Sequence, residues 1–150
     1  MKRALVVVTE SERSKQLVRE AGELAAEVDA ELVLLSVTAQ SAYDDTRQST
    51  VDAGAPESAY SLADARNDAE ELAESVADEV LADLDVGYET VGAVGRLADR
   101  ILGIATELDC DHVFIAGRRR SPTGKALFGD ATQEVLLSFD GPVTVSLGDD

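Results

Sequence analysis

The sequence predicts a doubly wound α/β domain built on one five-stranded parallel sheet with helices on both faces. Three observations carry this. Short runs rich in Val, Leu and Ile alternate with helical stretches from one end of the chain to the other. Within the helical stretches apolar residues recur every three or four positions. The length of 150 residues is about the common size of one domain and is enough to enclose a hydrophobic core.

Each element follows in order. Ala4 to Val8 is a β-branched run and reads as a buried first strand. A helix starts after Ser11, a suitable N-cap with Glu12 in the first turn, and aligns Leu17, Val18, Ala21, Leu24, Ala25 and Val28 on one face. Glu31 to Val37 is the second strand. From about Thr38 to Ser61 the chain is polar, rich in Ser, Asp, Ala and Gly, and reads as a long mobile loop. A second helix is expected from about Ala63 to Leu84, with Ala65, Ala69, Leu72, Ala73, Val76, Val80 and Leu84 inward and acids outward. Gly87 to Val94 is a third strand, and Leu97 to Leu108 a third helix on Leu97, Ile101, Ile104 and Ala105. His112 to Ala116 is a fourth strand, Asp130 to Ser138 a short helix, and Pro142 to Leu147 the closing strand. The expected strand order is 3-2-1-4-5, with strand five at an edge and two helices on each face. Neither an internal repeat nor a second domain is visible, so residues 1–150 read as a single domain.

Thirty acids against thirteen bases give a net charge of −17. Only three bases are lysine (Lys2, Lys15, Lys125), while sixteen acids are aspartate, a bias that matches a salt-rich cytosol. There the Debye length is only ~3 Å near 1 M salt and surface repulsion is tolerable. Such a surface repels phosphate backbones, so nucleic acid is not an expected partner. No apolar run approaches the roughly 18 residues of a membrane span. The N-terminal apolar run is shorter than a signal peptide requires, and Thr9-Glu10 interrupts it. A cytoplasmic location is the expectation. The lone Cys110 cannot form an internal disulfide and reads as a small packed residue.

In open α/β sheets ligands bind beyond the carboxyl ends of the strands where the order reverses, here between strands one and four. Val8-Thr9-Glu10, Val37-Thr38 and the segment opening at Gly117 gather there. Residues 117 to 129 hold Arg118, Arg119, Arg120 and Lys125, four of the thirteen bases, and no acid. Small residues, hydroxyls and a following helix N-terminus make this segment suited to an anion. Two other motifs fail. Gly124-Lys125 lacks both the earlier glycine and the hydroxyl of a Walker loop, and His112 with Cys110 has no further His or Cys to complete a metal site.

Four pieces of the chain together resemble the universal stress protein family: Val8-Thr9-Glu10-Ser11, Gly95-Arg96-Leu97-Ala98, Gly117 to Asp130, and Pro142-Val143-Thr144-Val145. The resemblance covers essentially the whole chain. It implies an adenine nucleotide alpha hydrolase-like fold, an AMP or ATP ligand without a metal, and a homodimer paired through Pro142 to Leu147. The implied nucleotide-binding residues are Val8, Thr9, Val37, Gly117, Arg118, Arg119, Arg120, Gly129, Asp130 and Ala131. The chain departs from the family pattern at several of them. Thr9 stands where members carry an aspartate, Arg120 replaces the second loop glycine, and eight residues rather than nine separate it from Gly129. Asp130 takes the place of a serine or threonine, and is expected to cap the last helix and push a phosphate outward onto the arginines. Thr132 is the candidate for the displaced hydroxyl.

The expected function is therefore a non-enzymatic stress-response protein that binds an adenine nucleotide or another small phosphorylated ligand. The alternative is a dimeric interaction module with a defunct nucleotide site, which Thr9, Arg120 and Asp130 favour. A small phosphatase or ATPase is the remaining reading. It lacks a nucleophile with an adjacent base, since the one histidine opens strand four, at its amino end and far from the switch point.

Overall fold

The computed structural model describes residues 1–118 and 129–148. Five strands, β1 (Arg3–Val7), β2 (Glu31–Ala39), β3 (Tyr88–Gly95), β4 (His112–Arg118) and β5 (Val143–Gly148), form one sheet in the order β3-β2-β1-β4-β5. Every neighbouring pair is parallel. Five helices accompany them: α1 (Glu12–Val28), α2 (Gln40–Asp52), α3 (Leu62–Val80), α4 (Leu97–Glu107) and α5 (Asp130–Ser138). Pleating sends Ala4, Val6 and Val8 to one face, where α1 and α3 cover them, and Leu5 and Val7 to the other, under α4 and α5. That double cover explains why the central strands are apolar at nearly every position. The order, the parallel sheet and the two helices on each face agree with the sequence reading.

The polar stretch after β2 does not. It is not a loop: α2 occupies thirteen of its residues, and a single 3-10 turn, Glu57–Ala59, follows. Only Tyr43 on α2 is buried; its ring lies 5.7 Å from that of Tyr60, and its hydroxyl donates to the Tyr60 carbonyl at 3.4 Å. Gln40 to Asp44 and Gln48 to Asp52 hydrogen bonds brace the helix at the i,i+4 spacing. With one anchoring side chain, little buried area opposes opening of α2. Its amides are expected to exchange before those of β1 and β2 in hydrogen-exchange measurements, and Tyr43→Ala to make them faster still without accelerating the sheet.

Two smaller differences concern helix faces. On α1 the buried arc runs through Leu17, Val18, Ala21, Gly22 and Ala25, so Leu24 and Val28 fall at its rim, 41% and 49% exposed. Helix α3 stops at Val80, four residues early, because Leu81 and Leu84 turn away to pack against Gly22 of α1. The same helix meets the sheet more intimately at its other end. A Cβ on Gly92 of β3 would stand 2.0 Å from the Arg66 carbonyl oxygen and 2.6 Å from the Glu70 amide nitrogen. Glycine is needed there so that helix backbone can lie on strand backbone.

The corners leading into β2 and β4 are alike. Asp29 (φ 60°) and Asp109 (φ 55°) adopt the left-handed conformation just past α1 and α4. The next residue's N–H then reaches back to the helix, from Ala30 to the Ala25 carbonyl and from Cys110 to the Ala105 carbonyl, both at 2.8 Å.

Candidate functional site

At the carboxyl end of β1 the chain leaves the sheet through Val8, Thr9 and Glu10 and enters α1 at Ser11. As expected, Ser11 is the N-cap, its hydroxyl accepting from the Ser14 amide. Ser14 is itself buried; its Oγ accepts the Thr9 amide at 2.8 Å and donates to the Val7 carbonyl. Thr9 Oγ1 lies 3.0 Å from Ser11 Oγ. This web of three hydroxyls ties down the end of β1 and takes up the Ser14 amide in the first turn of α1.

Helix α5 begins differently. Its N-cap is Gly129, with no side-chain hydrogen bond to the cap, and Asp130 is the exposed first residue of the helix. The expectation that Asp130 caps the helix is thus corrected: one position inside the helix, its carboxylate is beyond the site from which a cap reaches back to the amides. Among the described residues no side chain caps the α5 amides, which lie beside an exposed negative charge. Thr132, one turn in, is 5% exposed, and its methyl lies 3.6 Å from where a Cβ on Gly117 would stand, so it packs as a core residue.

Between the ends of β1 and β2 and the flank of α3 lies a cleft of about 260 Å³, lined by Val8, Thr9, Glu10, Ser36, Val37, Thr38, Asp68, Ala69 and Leu72. Three of the predicted site residues, Val8, Thr9 and Val37, meet there. Gly117 is buried in β4 against Val145 and Leu147 of β5, and Gly129, Asp130 and Ala131 sit at the start of α5; none of these four lines the cleft. Arg119, Arg120, Lys125 and the Arg118 side chain lie outside the described residues, and the basic segment's predicted role lies with them. The sequence reading missed Asp68, Ala69 and Leu72 as cleft residues. Ala69 and Leu72 were legible as the inner stripe of α3, and Asp68 immediately precedes them.

Two arginines near this end were also passed over. Arg13, in the first turn of α1, donates Nη1 to the Leu147 carbonyl at 2.9 Å, and its buried Nε has no hydrogen-bond partner among the described residues. Arg96, at the start of α4, holds Asp99 at 2.9 Å and grips both carboxylate oxygens of Glu134 on α5. Hydrogen bonding to Arg96 holds the Glu134 carboxyl below its usual range. Arg96 is therefore committed to joining α4 to α5.

His112 and Cys110 lie at the opposite end of the sheet. Burial raises the Cys110 thiol to about 11, so it is a packed, unreactive group. His112 stacks on Phe114 at 4.5 Å and shares a 2.8 Å hydrogen bond with Thr144 Oγ1. Burial lowers its basicity, with Asp111 opposing. The unfolded chain then takes up this proton more readily than the folded one. Stability is expected to be level above the ordinary value of 6.5 and to fall as pH drops through it toward the lowered native value. Urea midpoints above and below that range check this, and His112→Gln should flatten the step. Glu134 and Asp83, each held low by an arginine, add a separate loss at still lower pH.

Comparison with known proteins agrees with the architecture. The model of the universal stress protein family matches residues 1–146. A universal stress protein from Lactobacillus plantarum superposes with a TM-score of 0.69 at 20% identity, covering 97% of both chains. A universal stress protein in complex with cAMP gives 0.64 at 16% identity, covering 97% of this chain and 96% of the other. One from Archaeoglobus fulgidus in complex with dAMP gives 0.60 at 17% identity, covering 97% of both. Among curated proteins none matches the chain by sequence.

Proposed function

Since the chain belongs to the universal stress protein family, we propose that it is a non-enzymatic stress-response protein that binds an adenine nucleotide beyond the carboxyl end of β1. The observation that carries this is the cleft formed by Val8, Thr9 and Val37 beyond the carboxyl ends of β1 and β2, the end of the sheet at which α/β folds bind ligands. Relatives of the same fold hold cAMP and dAMP. In this reading the base and sugar occupy the cleft and the phosphate lies toward β4 and α5. There the amides of α5 attract it, and Asp130 limits how much negative charge is accepted. AMP is then the better ligand, and ATP the worse.

A second reading, a dimeric interaction module without a nucleotide, is favoured by Thr9. Its hydroxyl is already engaged with Ser11, and no carboxylate stands at that position. Both readings include a homodimer through β5, an edge strand whose outer backbone groups have no partner strand among the described residues. Calorimetric titration of AMP and ATP into the wild type and Asp130→Ser, with light scattering on the same samples, separates them. The nucleotide reading expects AMP to bind the wild type and Asp130→Ser to gain roughly tenfold for ATP, about one lost like-charge contact. If neither nucleotide binds at millimolar concentration while the mass is that of a dimer, the interaction module stands instead.

A further inference from the structure

The cleft contains more than an apolar slot. Its floor is Val8, Val37, Ala69 and Leu72, but two carboxylates, Glu10 and Asp68, stand at its rim, and among the described residues no basic side chain lines it. A phosphate placed inside would meet like charge on two sides. An uncharged group carrying N–H or O–H donors would meet acceptors instead.

Asp68 is held in place for that task. The Tyr60 hydroxyl donates to its Oδ2 at 3.2 Å, and Oδ1 accepts no hydrogen bond among the described residues. Tyr60 is fixed in turn by Tyr43, whose ring packs against its own and whose hydroxyl bonds its carbonyl. Burial first, and Asp68 second, raise the Tyr60 phenol above its ordinary value, so it stays a donor. Behind Asp68, α3 rests on the sheet at Gly92, with Arg66 and Glu70 in backbone contact either side of it.

In the cleft that the nucleotide reading gives to the base and sugar, we infer that Asp68, oriented by Tyr60, selects the nucleoside by accepting a hydrogen bond from an exocyclic amine or a sugar hydroxyl. This rests on the nucleotide reading and specifies the residue that selects. Tyr60 is a positioning residue, joining the segment after α2 to the selecting carboxylate.

The test is calorimetric titration of AMP, adenosine, purine riboside and 2′,3′-dideoxyadenosine into the full chain, Asp68→Ala and Tyr60→Phe. Wild type should bind adenosine. Asp68→Ala should lose roughly tenfold or more, the size of one hydrogen bond to a charged acceptor, and Tyr60→Phe a smaller factor. If purine riboside binds the wild type as weakly as adenosine binds Asp68→Ala, the donor is the amine; if the dideoxynucleoside does, it is the sugar. Asp68 is exposed, so an unchanged thermal midpoint for Asp68→Ala assigns the loss to recognition and not to folding. Binding of AMP by the wild type with undiminished adenosine affinity in Asp68→Ala overturns this inference and leaves the nucleotide reading intact. Failure of the wild type to bind either AMP or adenosine overturns both.

Discussion

Gly92→Ala is expected to destabilise the fold by about 3 kcal/mol or more, at the upper end of what overpacking costs. On an open strand the change would be favourable, since alanine loses less backbone freedom on folding than glycine. Here the added methyl would stand 2.0 Å from the Arg66 carbonyl oxygen, and a methyl fixed to Cα meets a backbone atom, so no rotamer change relieves the contact. Helix α3 must lift from β3, carrying with it Asp68, Ala69 and Leu72 of the cleft. Gly129→Ala is the matched control, because no atom of the described residues lies within 4 Å of its Cβ position and its φ is −65°. Urea unfolding of the two variants checks the contrast. A loss under about 1 kcal/mol for Gly92→Ala would mean that α3 slides over the strand at little cost.

Raising the salt concentration from about 0.01 M to 1 M is expected to raise the thermal midpoint by roughly 10 °C, equivalent to about 3 kcal/mol for a chain of this length. Two effects of opposite sign compete. Salt weakens the ion pairs that α1 makes with α3 and the turn after it, Lys15 with Glu79 and Arg19 with Asp83, but these are solvent-accessible and worth little. It also screens the repulsion of seventeen excess negative charges, which acts across the whole surface. None of the five helices carries a base in its own last turn, although Arg19 and Arg3 reach the Val80 and Leu108 carbonyls at the ends of α3 and α4 from outside. Repulsion therefore dominates. Calorimetry in KCl decides the sign, and a midpoint that falls with salt would show that the ion pairs outweigh the net charge.

The sheet was legible because its signal is long-range and redundant. Each strand is a short apolar run, and each large helix repeats its apolar residues at helical spacing, so errors at single positions do not alter the order. Helix α5, expected after the glycine-bounded segment from Asp130 to about Ser138, spans those residues. Helix α2 was not expected, because a helix held by Tyr43 alone has no periodicity to read. The end of α3 was drawn too late because Leu81 and Leu84 prolong the apolar pattern after the backbone has left the helix. The site divides in the same way. Val8, Thr9 and Val37 follow from strand ends, which topology brings together. Asp68 is one of several acids on α3, alongside Asp64, Glu70, Glu71 and Glu74. Which of them overlooks the cleft depends on the height and rotation of the helix, set by its contact with Gly92.

The left-handed aspartates at the two helix-to-strand corners bear on how this surface is composed. Glycine would adopt φ near 60° more easily than Asp29 or Asp109 does, by about 1 kcal/mol at each corner. It would also place no carboxylate beside the negative end of the preceding helix. The chain nevertheless carries an acid at both. Acidity in this protein therefore extends beyond freely variable surface positions into ones governed by backbone geometry. Local conformational ease is exchanged for charge that keeps copies of the chain apart in crowded solution.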